Sequence, residues 1–151
     1  MTELNFLRIT IDLAHRAKEK GNDPFGSLLT DTAGNLLITA ENTAKTAHDC
    51  TGHAELNLMR EASQKFEREF LATCTLYTSA EPCPMCAGAI YWGGVGRVIF
   101  GLSTNSLASL LEFPADNPLL MISCREVFAR GKKQIKVIGP LLEDEARKVF
   151  E

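Results

Sequence analysis

Several features are missing from this chain of 151 residues, and each absence removes a class of protein. No apolar run approaches the ~20 residues that a membrane-spanning helix needs. The N-terminus carries Glu3, Arg8 and Asp12 early, without the basic-then-apolar order of a secretory signal. Basic residues are not in excess: 16 Lys and Arg stand against 19 Asp and Glu, a formal charge of −3. A protein that docks on an RNA stem or a long single strand shows a basic face, so the balance argues against such a partner. The five cysteines are an odd number and suggest no disulfide framework. A reducing compartment, and a cytoplasmic protein with no membrane partner, are therefore expected. Repeats, low-complexity tracts and long linkers are absent too, so residues 1–151 are expected to form a single domain. What remains is ordinary for a globular chain, 45% hydrophobic and 23% charged, in a length that buries a core unaided.

Hydrophobic periodicity gives an alternation of helices and strands. Residues 3–20 read as an amphipathic helix, with Thr2 as N-cap and Gly21 as stop. Leu4, Leu7, Ile11, Ala14 and Lys18 lie along one side of it, Phe6, Ile9 and Leu13 widen the stripe, and His15 faces solvent. Residues 25–30 and 36–40 read as the strands of a hairpin. Gly26 would let backbone pass close to a ligand or a neighbouring strand. A polar loop from Asn42 to Gly52 leads to a helix over 53–66, with Leu56, Met59, Arg60 and Ser63 along one side. Then come a strand over 74–78, a helix over 83–92 stopped by Gly93-Gly94, and a strand over 97–102. In the last third, 106–112 and 123–130 read as short helices, 134–138 as a strand and 141–150 as a helix. Its acidic start, Glu143 to Glu145, complements the helix dipole. Such an order implies βα crossovers and a sheet covered on both faces: an α/β fold in three layers, α/β/α, with about five strands in a mixed sheet.

The chemistry is concentrated in Glu81-Pro82-Cys83-Pro84-Met85-Cys86, read together with His53-Ala54-Glu55. Cysteines at i and i+3 fall on one helix face and can hold one ion, and Pro84 suits a first turn, where its missing N–H is no loss. His53 supplies a third ligand. Glu55 points about 200° away from it on a helix, so the two share a site only if that site lies off the helix end. Three protein ligands and a carboxylate beside them describe a catalytic zinc site, since a structural one closes its fourth position with protein. A structural zinc module, or three core residues without metal, is the other reading of a Cys pair with a distant histidine. Ala54 between His53 and Glu55, and Pro82 before the first cysteine, favour the catalytic one. His48 and Cys50 mimic ligands, but the set is complete without them and they are expected to be exposed.

The pattern His-x-Glu with Pro-Cys-x-x-Cys is that of zinc-dependent nucleobase deaminases. The chain resembles the cytidine and deoxycytidylate deaminase superfamily over roughly residues 3 to 110. Its run 77–92 is most similar to bacterial guanine deaminases, with tRNA adenosine deaminases next. The resemblance implies the cytidine-deaminase-like fold, zinc held by His53, Cys83 and Cys86, hydrolytic release of ammonia, and Glu55 as proton shuttle. It also implies substrate contacts from Asn42 and the backbone N–H of Ala54, and an aromatic wall at Phe25, for which a core position is the alternative. Glu81, Trp92 and Asp116 complete the candidate substrate contacts, Trp92 reading equally as a core or interface residue. A homodimer is usual in the family and is expected here.

Guanine to xanthine is the leading expectation for the reaction, on residues 81–86 and Ala89-Ile90-Tyr91-Trp92. Adenosine in tRNA comes second, on Ala87-Gly88-Ala89, with the acidic balance and the run 146–151 against it. Cytosine or another small aminated heterocycle, free or as a nucleoside, is third. The chain departs from the guanine deaminase pattern: no tyrosine matches the C-terminal aromatic tail, and Glu112 and Asp116 only loosely match the acids that contact the guanine amino group. A non-enzymatic binder would hold its ligand without releasing ammonia.

Overall fold

A computed structural model describes residues 1–151. Five strands form one mixed sheet: β1 (Gly26–Thr30), β2 (Leu36–Glu41), β3 (Thr75–Ala80), β4 (Arg97–Leu102) and β5 (Lys136–Ile138), in the order β2-β1-β3-β4-β5. β1 runs antiparallel to both of its neighbours, whereas β3, β4 and β5 are parallel. Every residue of β1 and of β3 is buried. Strands covered on both faces lose the apolar–polar alternation and read as continuous runs, as at Leu28-Leu29 and Thr75-Leu76-Tyr77.

One face of the sheet carries α3 (Ala54–Lys65), α5 (Pro84–Gly93) and α7 (Cys124–Ala129), and the other carries α1 (Glu3–Glu19) and α8 (Glu143–Arg147). On the first face Leu29, Leu76, Val98 and Phe100 meet Leu58, Ala87 and Ile90. Across the sheet Leu28, Tyr77 and Ile99 meet Phe6, and Ile11 and Ala14 pack with Leu102, Ala146 and Val149. Each Leu, Ile, Val or Phe side chain among these contributes about 1.5–3 kcal/mol by leaving water. The result is the three-layer α/β/α arrangement that the element order implies.

Local signals set most element ends. Thr2 accepts the N–H of Asn5 at 3.2 Å and caps α1, and Gly21 follows its end at φ 91°. Lys18 sits outside the apolar stripe: its stem crosses the surface and its Nζ donates to the carbonyls of Val149 at 2.9 Å and Glu151 at 3.3 Å. At Gly26 the tightest approach is to α1, since a Cβ there would stand 2.5 Å from the Thr10 carbonyl oxygen and from Leu13 Cβ. In α3 the buried side is Ala54, Glu55, Leu58, Met59 and Ala62, so the stripe expected through Leu56, Arg60 and Ser63 turns outward.

Two one-turn helices had no sequence signal, α2 (Ala44–Ala47) and α4 (Arg68–Leu71); α6 (Thr104–Leu110) starts two residues before its expected place. The helix expected over 141–150 is shorter because Leu142 takes a left-handed backbone, φ 56°, and the chain then tightens into a 3-10 turn at Lys148–Phe150. The last strand begins late, at Lys136, where pairing with Arg97 begins. None of the helices is long and apolar enough to cross a membrane.

Candidate metal centre and substrate cavity

β3 delivers the chain to Glu81-Pro82 at the end of the sheet where α3 and α5 both begin. Pro84 opens α5, Cys83 stands at its N-cap and Cys86 is in its first turn, while His53 is the N-cap of α3. The two helix starts bring together side chains thirty residues apart. His53 Nδ1 lies 3.5 Å from Cys83 Sγ and 3.4 Å from Cys86 Sγ. The three ligand atoms are all within 4.8 Å of one another. Tetrahedral bonds of about 2.0–2.1 Å to nitrogen and about 2.3 Å to sulfur place N and S donors roughly 3.5 Å apart, so this cluster fits zinc in both donor type and spacing. The Cys86 thiol, then His53, hold Cys83 well below the usual thiol range against the effect of burial. Cys86 is pushed up by Cys83 and by burial. His53 is raised by its bond to Cys83. Partial positive charge from the helix starts also favours thiolate.

Glu55 follows in the first turn of α3 and is 5% exposed. Burial pushes its carboxyl up, while a hydrogen bond from the Thr78 hydroxyl to Oε1 works the other way. Ala54 is fully buried at the first position of α3, where backbone N–H groups lack an acceptor within the helix. Asn42 is 2% exposed; its Oδ1 accepts the Ala44 N–H at 3.0 Å, which leaves the side-chain NH2 as a donor.

His53, Glu55, Cys83 and Asn42 share the wall of one cavity of about 420 Å³, a size within the range of small-molecule sites. Phe25 lines it too, with its ring 5.7 Å from that of Phe150 at 60°. Leu107, Leu111, Phe113, Asn117 and Leu119 close the far side. Glu81 reaches the wall, but both of its carboxylate oxygens are engaged: Oε1 accepts the Thr104 N–H and Oε2 the Cys124 N–H, each at 3.0 Å. Asp23 also lines the cavity and pairs with Lys45 at 3.0 Å. The lining contains neither lysine nor arginine.

Two candidate residues are not brought here. Trp92 is 74% exposed, because it ends α5 on the outer side, beside Leu56 and Arg60. Asp116 lies on an exposed turn, and its neighbour Asn117 takes the cavity position. Glu112 is likewise exposed and outside the lining. His48 and Cys50 are exposed as expected. Phe150, Leu107 and Asn117 carried no sequence signal for a cavity; an apolar Val149-Phe150 pair after a charged helix was the faintest hint. A wider cleft, about 750 Å³, opens by Gly96 and Lys136 at the other end of β4 and β5, away from the metal cluster.

Residues 1–102 match the zinc-binding region of cytidine and deoxycytidylate deaminases. A probable cytosine deaminase of Schizosaccharomyces pombe is 39% identical over 144 residues, 95% of this chain and 87% of that protein. A guanine deaminase of Bacillus subtilis is 39% identical over 101 residues, 66% of this chain and 64% of that protein. In overall fold the chain is similar to a solved guanine deaminase from Nitrosomonas europaea, with a TM-score of 0.81 at 21% identity, covering 99% of this chain and 82% of the other.

Proposed function

The chain belongs to the cytidine and deoxycytidylate deaminase family, whose members bind zinc, and from that membership we propose that it deaminates a free, uncharged nucleobase, cytosine before guanine. One observation carries the reading: a cavity of about 420 Å³ that holds His53, Glu55 and Cys83, walled by Phe25 and Phe150, has neither lysine nor arginine. A nucleotide or a tRNA loop brings phosphate, whose recognition draws mainly on lysine and arginine, and the two helix starts at this cavity carry the metal ligands His53 and Cys83.

In the reaction, water replaces the amine on a ring carbon, and ammonia leaves. Zinc held by His53, Cys83 and Cys86 would supply Lewis acidity and lower the pKa of water toward about 7. Glu55 takes the proton of the attacking water and gives it to the ring nitrogen beside the reacting carbon. It then takes the remaining proton of the added hydroxyl and delivers it to the amine, which departs as ammonia as the carbonyl forms. The Ala54 N–H donates to a carbonyl oxygen of the base, and the Asn42 amide donates at another edge. Phe25 and Phe150 exclude water from one side of the ring.

Guanine is the second reading, favoured by the likeness to guanine deaminase and the run 77–92. The amino group that guanine loses is its only one, but its purine carries one more ring N–H than cytosine, and that donor needs an acceptor. Of the cavity acids other than Glu55, Glu81 is committed to two backbone N–H groups, and Asp23 stands at the exposed rim, where its Oδ1 pairs with Lys45. Likeness over nearly the full chain to a probable cytosine deaminase points the same way. A homodimer joined through the outer side of α3 and α5 also belongs to this reading, supported by the exposure of Trp92 at 74% and Met85 at 37%.

The test is ammonia release by zinc-loaded protein from cytosine, guanine, adenine, their nucleosides and tRNA. Cytosine should give the highest kcat/KM and free bases should exceed nucleosides; preference for tRNA or a nucleotide would overturn the assignment. Glu55→Gln should lower turnover at least about 10²-fold with zinc retained. Near-normal turnover in that variant removes Glu55 from the mechanism.

A further inference from the structure

Thr78 is fully buried on β3, directly behind the first turn of α3. Side chains alternate along a strand, so Leu76 and Thr78 face α3 and α5 while Tyr77 faces α1. The Thr78 hydroxyl donates to Glu55 Oε1. Its other acceptor within reach is the Gly26 carbonyl oxygen at 3.5 Å, too far for a strong bond. Thr78 has one proton to give, and the geometry commits it to Glu55.

We infer that Thr78 is a positioning residue, whose hydroxyl holds Glu55 Oε1 so that Oε2 is the oxygen that carries protons between water and base. The inference rests on the proton-shuttle reading of Glu55. A glutamate has three rotatable bonds, and rotation of an unpinned carboxylate would interchange its two oxygens. A β-branched residue in a strand is stiff at χ1, so the sheet itself fixes the direction of the Thr78 hydroxyl. Proton transfer needs heavy atoms about 2.6–3.2 Å apart, and a misplacement near 1 Å can cost about 10²-fold in rate. Ser27 shows that this is not a general property of hydroxyls beneath the site. It pairs across the ladder with Thr78 and is also fully buried, yet its Oγ has no partner.

The experiment uses zinc-loaded enzyme and the best base from the substrate panel, with variants Thr78→Val, Thr78→Ser and Ser27→Ala. Thr78→Val keeps the shape and removes the donor: kcat should fall about 10- to 100-fold, with KM within about threefold and zinc content unchanged. Thr78→Ser should recover turnover to within about threefold of the parent, and Ser27→Ala should match the parent. Crystals of Thr78→Val should show the Glu55 carboxylate in more than one orientation, and those of Thr78→Ser in one. Parental kcat in Thr78→Val overturns the inference. So does an equal loss in Thr78→Ser and Thr78→Val, because Ser keeps the hydroxyl and would then show that the hydroxyl alone does not account for the effect. Full activity in Glu55→Gln would instead sink the underlying mechanism, whatever the Thr78 variants do.

Discussion

Glu81 shows how one carboxylate can organise a site that it does not have to serve chemically. Its two oxygens accept the N–H groups that open α6 and α7, and so tie the turn before Cys83 to the helix that carries Leu107 to the cavity. Glu81→Ala leaves both donors without this acceptor and should destabilise the fold by about 2–4 kcal/mol, read as a lower denaturation midpoint. Glu81→Gln keeps one acceptor and should lose roughly half as much. Equal stability of Glu81→Ala and the parent would show that the two bonds do not matter. Sequence could place Glu81 beside the metal motif, but its partners are 23 and 43 residues further along the chain. By contrast, His53, Cys83 and Cys86 were readable because each sits at or within one turn of a helix start, and only the meeting of those two starts is tertiary.

At the scale of elements, the hairpin of β1 and β2 carries its own pH signature. Asp31 Oδ1 accepts the N–H groups of Ala33 and Asn35, each at 2.9 Å, and Oδ2 accepts the Asn35 side-chain amide at 2.9 Å. Those bonds, led by the Asn35 side chain, hold the Asp31 carboxyl below its ordinary 3.8. A depressed folded-state pKa gives stability that is complete above the unfolded value and is lost as pH falls through the folded one. The melting temperature of the parent should therefore exceed that of Asp31→Ala at pH 6, and the gap should shrink below about pH 4. An identical gap at pH 3 and pH 6 would show that the carboxylate charge is not involved. This turn was legible because its signals are local. The C-terminal helix was legible but its start was not: the left-handed backbone at Leu142 depends on where α8 must dock on β4 and α1, and residues 141–150 alone do not reveal that.

For the molecule as a whole, the three layers followed from the order of elements, while the outer surfaces did not. α3 and α5 bury one side each and leave Leu56, Met85 and Trp92 partly or largely exposed toward solvent. If that side joins two copies, Trp92→Glu should shift a dimer toward monomer in light scattering at micromolar concentration. A monomeric parent would refute the assembly and leave the chemistry of the cavity untouched. The chain has a single tryptophan, and it is on this surface. Its intrinsic fluorescence is therefore a label already in place: emission should move to shorter wavelength as concentration rises and the indole leaves water, so self-association can be titrated on unmodified protein.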